Sequence, residues 1–489
     1  MAFKRRIALI IPPYRISERF GLPYPMGIGY IGTVLKQNGH KVKIFDCDAM
    51  QIGMKELRRI LNAEKPDVVG ITATSYTRFS AINVAKMAKE FLPDCVTVVG
   101  GPHFTATAED ALRVVKEVDF VVRGEGEYAM LELLDGLSGR LPFEDIGGLS
   151  FRKNGNIILN PGRKHIADID TIPVLDRDLI DSSLYFERLP HSDIECKSVL
   201  ASRGCPFSCS FCFPHDRSYR RRSNSKILDE VEYLIKRYNV EAIRFFDLTF
   251  TVSPDNVKDF CRQIKERKIE FKWYCESRVD IDLSLLELMR EAGCYSLDFG
   301  LESASPRVLE QIHKRISPQQ ALAFAKCCNS LGIRTKVFLM LSLPGEDIND
   351  AGITYGFACE LSQYVTALGL QVTQIIPGTE VERRAKELKI IPDGFSWNSP
   401  FRSKRTRTVA GCEEVPLYME KLSYTQIMKL YRAYSIFDIY SIKKITFSSF
   451  LDKLRRGLTN WDKGIFFKIG WLMEFLRAGI FKLLRHENR

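Results

Sequence analysis

Short unbroken apolar runs recur along this chain, each separated from the next by a segment of helix length. "RIALIIPP" at the start is followed by "KVKIFD", "DVVGITA", "VTVVGG" and "FVVRGE". The intervening segments have helical spacing, and "MGIGYIGTVLKQNGH" ends in a glycine stop. Strands apolar on both faces must be covered on both faces, and helix-length links let successive strands run in one direction. The pattern predicts a doubly wound, Rossmann-like parallel α/β domain over residues 1–138. Past residue 195 the alternation resumes in "KSVLASRG", "EAIRFFDLTF", "FKWYCESRVD", "CYSLDFGLES", "TKVFLMLSLPGE" and "ALGLQVTQIIPGTEV". A second α/β unit is therefore expected over residues 195–400. The connector, 139–194, reads as a hairpin with the turn "KNGN" and then an Asp/Pro-rich strap, "DIDTIPVLDRDLID". With 489 residues the chain is too long for one core.

In open parallel sheets, ligands lie beyond the carboxyl ends of the strands. In the first unit those ends carry Asp48, Ser75, Thr77, Gly100, Gly101, His103, Arg123 and Glu125. The glycine pair lets backbone approach a ligand closely, or simply turns the chain. No G-x-G-x-x-G follows the first strand, which argues against a dinucleotide. In the second unit a strand runs into "SRGCPFSCSFC", placing Cys205, Cys209 and Cys212 on a loop shaped by Gly204 and Pro206. Three thiolates suit a [4Fe–4S] cluster with one iron left open. A Cys3His zinc site completed by His215 is the alternative. Of the other cysteines, Cys261, Cys294, Cys327 and Cys328 read as small core residues. Cys275 is expected at a strand end near the mouth of this second unit, as a core residue first and a catalytic thiol second. Cys412 has no assignment. The cysteine count of 13 is odd. The opening apolar run is too short for a secretory leader, so a reducing, cytoplasmic compartment is expected.

The segments "PMGIGYIGTVLKQNGHKVKIFD", "DVVGIT", "VVGGPHFT" and "VVRGEGE" resemble the cobalamin-binding domain at the front of many radical S-adenosylmethionine (SAM) enzymes. The cysteine loop resembles the signature of that superfamily, C-x-x-x-C-x-aromatic-C, with Phe211 as the aromatic, and the likeness extends from 195 to about 390. It implies a partial (β/α)6 barrel and a cluster held by Cys205, Cys209 and Cys212. SAM would chelate the open iron and be cleaved to a 5′-deoxyadenosyl radical by an electron from the cluster. The family's SAM contacts fall here on Phe211, Asp247 (amino group), Arg278 (carboxylate), Glu302 and Ser303 (ribose or carboxylate), and Ile376 and Pro377 (adenine). Ser342 stands where the family usually has the first glycine of G-x-P-G-E. Cobalamin contacts would come from Ser75, Thr77, Gly100, Gly101, His103, Arg123 and Glu125. One departure concerns the lower cobalt ligand, which the family takes from Asp-x-His-x-x-Gly. Here the place reads "DCDAMQ", so Asp48 replaces the imidazole and is not expected to ligate; His103 is the next imidazole by position. The electron would come from an external donor such as flavodoxin or ferredoxin.

The formal net charge is +11, and residues 401–489 hold 18 Lys and Arg against 8 Asp and Glu. In this basic helical extension, 465–483 places Lys468, Glu474, Arg477 and Lys482 on one side and Ile465, Ile469, Leu472, Met473, Leu476, Ile480 and Leu483 on the other. Such a helix can lie in a membrane interface or pack on the barrel; its internal charges argue against a span. Nucleic acid ranks below both. The expected function is cobalamin-dependent methylation of an unactivated carbon in a hydrophobic or lipid-like substrate, by an enzyme in the cytoplasm or peripheral on the inner membrane face. Two other readings stand beside it: a radical SAM oxidative cyclase or rearranging enzyme without methyl transfer, and a non-catalytic iron–sulfur or zinc protein.

Overall fold

The computed structural model describes residues 4–14, 24–190, 192–213, 217–401 and 415–441. The segment 465–483, Cys412 and His215 lie outside them.

The first five apolar runs form parallel strands β1 (Arg6–Ile11), β2 (Lys41–Asp46), β3 (Val68–Thr72), β4 (Val96–Gly100) and β5 (Phe120–Val122). They are ordered β2-β1-β3-β4-β5. Helices α1 (Met26–Gln37), α2 (Met54–Glu64), α3 (Arg78–Phe91), α4 (Pro102–Val114) and α5 (Gly126–Gly136) alternate with them. Strand residues of opposite parity enter two different cores: Ala8, Ile10, Val69 and Val99 in one, Ile7, Leu9, Val68 and Val98 in the other. The strand order reverses beside β1, so a crevice opens between the carboxyl ends of β1 and β3.

The expected hairpin is present as β6 (Leu149–Lys153) and β7 (Asn156–Leu159). Asn154 and Gly155 both take positive φ, the demand of a two-residue type I′ turn. The hairpin, placed by sequence in the connector, is the edge of the first sheet. β6 pairs antiparallel with β5 and makes the sheet seven-stranded. β5 is only three residues long; pairing covers its free edge, and Phe120, Phe143 and Phe151 stack across the junction. The strap then follows in short turns capped by Asp168, Asp176 and Asp181. It is tied down where Tyr185 Oη donates to Asp46 at 2.8 Å.

The second sheet is a parallel run of six strands. β8 (Lys197–Val199) precedes a short antiparallel pair, β9 (Ser202–Arg203) and β10 (Arg220–Arg221). β11 (Ala242–Phe245), β12 (Lys272–Ser277), β13 (Cys294–Glu302), β14 (Arg334–Leu341) and β15 (Ala367–Val372) continue it. Neighbours in space are neighbours in this list, from β8 at one edge to β15 at the other, and every pair is parallel. The return helices α6 (Asn224–Tyr238), α7 (Pro254–Arg267), α8 (Ser284–Glu291), α9 (Pro306–Gln311), α10 (Pro318–Ser330) and α11 (Ile348–Leu361) cover its outer face. Serine or aspartate side chains (Ser223, Ser253, Ser317, Asp347) cap four of their N-termini, satisfying amide donors that the first turn leaves open. The outer core centres on Trp273, fully buried, with the rings of Phe245, Phe250 and Phe260 at 5.6–5.9 Å. Beyond β15 come α12 (Glu380–Glu387) and α13 (Tyr424–Ser441). Among the described residues no helix is long and apolar enough to cross a membrane.

Gly101 fixes how closely the loops after β3 and β4 approach. Its φ is +89°, and a Cβ there would stand 2.7 Å from the Ala73 carbonyl oxygen. Gly101→Ala is expected to cost more than about 1 kcal/mol, read as a lowered melting temperature; an unchanged melting temperature would contradict the packing described.

Candidate active site

The cysteine loop begins where β9 ends, at Gly204 with φ +81°. The β9–β10 pair closes its base, with Arg203 opposite Arg220. Both arginines reach back to the first domain: Arg203 pairs with Glu125 at 2.9 Å and Glu127 at 2.5 Å, and Arg220 with Glu125 at 3.0 Å. Glu125 also accepts the Ile166 N–H. Burial alone would raise the Glu125 carboxyl; the Ile166 and Arg203 hydrogen bonds outweigh it and hold it below its ordinary value. The far side of the loop is held by Ser210, whose N–H donates to Ile312 O and whose carbonyl accepts from Val381 N–H.

Two buried cations flank Cys209. Lys314 pairs with Glu302 at 2.9 Å. Arg278 forks onto Asp280 at 2.8 and 2.9 Å, donates to Lys314 O at 2.9 Å, and lies 3.9 Å over the Phe207 ring. Gly300 makes room for this arrangement, since a Cβ there would meet Glu302 Oε1 at 2.1 Å.

A cavity of about 430 Å³ opens over the loop. Cys205, Cys209 and Cys212 line it, all as free thiols. Phe211, Arg278, Glu302 and Ile376 line it too, with Leu248, Phe338 and Met340 as apolar wall. From the first domain, Tyr76 at the β3 end reaches it, and its hydroxyl donates to Gln374 Oε1 beyond β15. Tyr76 sits between Ser75 and Thr77, on the stretch expected at the carboxyl end of β3.

Other expected contacts are turned away. Asp247 is buried by Ala201 N–H at 3.2 Å and the Ser202 hydroxyl, and burial raises its carboxyl. Ser303 is fully buried, with its hydroxyl on Thr354 at 3.0 Å and accepting Ser305 N–H at 3.1 Å. Ser342 keeps the left-handed conformation of the glycine it replaces, φ +62°, and its hydroxyl donates to Tyr418 O at 2.6 Å. Pro377 is buried beside the cavity wall rather than in it. Cys275 is not at the mouth: it is fully buried behind the sheet in the core with Cys294 and Leu297. Burial pushes its thiol well up.

The residues named in the first domain have partners of their own. Glu125 is enclosed by the two arginines, and Arg123 donates to Asn160 O. Gly100 and Gly101 serve loop packing, and Thr77 Oγ1 accepts Thr74 N–H at 3.0 Å. Asp48 accepts Tyr14 N–H at 2.7 Å, and burial pushes its carboxyl up to about 6. His103 is no open imidazole. Nδ1 meets Ser75 Oγ at 3.1 Å and Nε2 meets Asn398 Oδ1 at 3.2 Å.

Burial, and then the Arg78 charge, push His103 down to about 3 from 6.5. The unfolded chain therefore takes up this proton below about 6.5 and the folded chain only near 3, so stability falls as pH drops through that window. Between pH 7 and 5 the loss is about 2 kcal/mol. Asp48, with a raised pKa, shifts the other way, so the test is a difference: His103→Gln should unfold with a shallower acid dependence than the wild type. Parallel urea midpoints from pH 7 to 5 would contradict this.

The comparisons with known proteins follow this geometry. The B12 binding domain matches residues 15–134 and the Radical SAM superfamily residues 199–358. An uncharacterized methyltransferase of Pyrococcus horikoshii is 34% identical over 363 residues, 73% of this chain and 78% of its own length. An anaerobic magnesium-protoporphyrin IX monomethyl ester cyclase of Rubrivivax gelatinosus is 30% identical over 366 residues, 72% of this chain and 65% of its own. The fold is that of the radical SAM methyltransferase TsrM from Kitasatospora setae, solved with cobalamin and a [4Fe–4S] cluster; TM-score 0.70, 18% identity, 97% of this chain and 99% of that one. Two family matches in this order, and a relative matched over most of its length, place the chain in the cobalamin-binding radical SAM family of enzymes, with its methyltransferases and magnesium-protoporphyrin cyclase-like proteins.

Proposed function

We propose that this enzyme transfers a methyl group from SAM to an unactivated carbon of a hydrophobic, lipid-like substrate. In this reading Cys205, Cys209 and Cys212 hold a [4Fe–4S] cluster, and cobalamin lies at the carboxyl edge of the first sheet. The observation that carries it is the shared cavity, lined by the three thiols and by Tyr76 of the other domain.

The donor set fits the cluster. Three thiols, Cys205, Cys209 and Cys212, line one cavity. That suits ligands spread over a cluster. Lys314 and Arg278 supply positive charge beside Cys209. For cobalamin, the crevice between β1 and β3 adjoins Tyr76. No histidine is among the described residues lining the cavity, and both His103 nitrogens are engaged. Cobalamin bound at this edge would meet Tyr76, and His103 would hold its present partners Ser75 and Asn398. When bound, these groups supply the radical and methyl-transfer chemistry. The chain's part is to fix the loop through Arg203, Arg220 and Ser210, to balance thiolate charge, and to keep water from the apolar wall.

Identity with the cyclase favours a second reading, oxidative radical chemistry without methyl transfer. Anaerobic reconstitution separates the two. With methyl-labelled SAM and dithionite, label found in a product alongside 5′-deoxyadenosine supports the first; 5′-deoxyadenosine formed with no label transferred supports the second. Flavodoxin or ferredoxin would replace dithionite in the cytoplasm. The basic tail would hold the enzyme on the inner membrane face near a lipid substrate. Removing residues 460–489 should then abolish co-sedimentation with anionic liposomes; equal sedimentation of both forms would sink that placement.

A further inference from the structure

Facing carboxylates stand inside the second sheet, apart from the contacts that fix the cysteine loop. Glu276 on β12 is the register partner of Asp298 on β13, and both line the cavity. The Tyr274 hydroxyl lies 3.4 Å from Glu276 Oε1 and 3.2 Å from Asp298 Oδ2. Asp298 also accepts Lys336 N–H at 3.0 Å. Glu276 is less well served. Among the described residues its carboxylate joins no ion pair, and the long contact to Tyr274 is its one hydrogen bond. The nearest cations are occupied with aromatic rings: Arg244 lies 4.9 Å over Phe246 and 5.4 Å over Tyr274, and Lys336 lies 4.7 Å over Phe338. Burial, then the neighbouring Asp298, push the Glu276 carboxyl up to about 7.

A half-buried acceptor with one long hydrogen bond beside a like charge is poorly satisfied by the protein until a donor reaches it. The same lining carries apolar surface at Leu248, Phe338 and Met340 and polar side chains at Thr249, Gln371 and Gln374, while its cations Arg278 and Lys314 are paired with Asp280 and Glu302. We propose that Glu276 selects the substrate, accepting a hydrogen bond from a hydroxyl or amino group carried by an otherwise apolar molecule. This rests on the reading that the cavity holds the substrate, and it narrows "lipid-like" to an amphiphile whose donor-bearing end enters the barrel.

The test uses the full-length, cluster-loaded protein and three probes of one chain length: octanol, octylamine and octanoate, titrated by calorimetry. Octanol or octylamine should bind about tenfold more tightly than octanoate, which offers no donor and meets two carboxylates; whichever of the two binds better tells hydroxyl from ammonium. Glu276→Leu should erase the preference. Glu276→Gln keeps the shape and one acceptor oxygen, and should retain a preference for octanol while losing any extra affinity for the ammonium. Iron content and melting temperature verify that both variants are folded. Equal binding of all three probes, no binding of any, or a preference that survives Glu276→Leu would overturn the proposal. Failure of the wild-type protein to cleave SAM would instead defeat the functional reading, and the head-group preference would still be decided by the titrations.

Discussion

Replacing Cys209 with alanine should take the reconstituted protein from about four irons per chain to less than one, and SAM cleavage to background. Cys209 is the central thiol of the loop: Cys205 raises it electrostatically, and it in turn raises Cys212. With it gone, two ligands remain for a cluster that needs three from the protein. Cys275→Ala is the matched control. That residue packs behind the sheet, so its loss should trim stability by roughly 1–2 kcal/mol and leave iron and SAM cleavage in place. Iron analysis and product chromatography on the two variants side by side check this. Iron retained in Cys209→Ala, or lost in Cys275→Ala, would contradict the site.

The second large effect is expected at Lys314. Its ammonium and the Glu302 carboxylate are both nearly buried, 11% and 9% exposed, at 2.9 Å. Burial works against the lysine's charge, and Glu302 more than restores it, so its pKa is raised. Lys314→Met leaves Glu302 as an uncompensated buried charge beside Cys209, at a cost of about 3–5 kcal/mol. Removing both partners in Lys314→Met/Glu302→Leu should recover most of that loss, because two apolar groups leave no orphaned charge. Urea unfolding of the single and double variants checks it. A double variant no more stable than the single one would mean that the pair does not act as a unit.

Much of this architecture was legible because periodicity decides which faces are apolar. The alternation of strands and helices marked both parallel sheets, and "KNGN" marked the hairpin. What it left unread was chiefly long-range. Arg203 looks like an ordinary residue before a glycine; its partners Glu125 and Glu127 lie 78 and 76 residues away. His103 meets Asn398 across 295 residues, and Tyr76 meets Gln374 across 298. Local pattern gives each loop's strand end, not the loop it faces. Cys275 is a different kind of miss. In "KWYCES" side chains alternate across the sheet, so Trp273 and Cys275 share one face and Tyr274 and Glu276 the other. That parity, in the sequence throughout, places the thiol in the outer core and Glu276 in the cavity. Ser342 shows a local rule overridden: a positive φ usually kept for glycine is held instead by a hydroxyl bonded to Tyr418 O.

The central claim, cobalamin-dependent methyl transfer at this cavity, is tested most directly with SAM labelled in its methyl group. The reduced, cobalamin-loaded enzyme would be incubated with a lipid extract, and 5′-deoxyadenosine and labelled lipids measured together by mass. The account predicts a lipid heavier by one labelled methyl group, formed along with 5′-deoxyadenosine and only when cobalamin is present. Formation of 5′-deoxyadenosine with no label in any lipid, or labelling that persists without cobalamin, would contradict it.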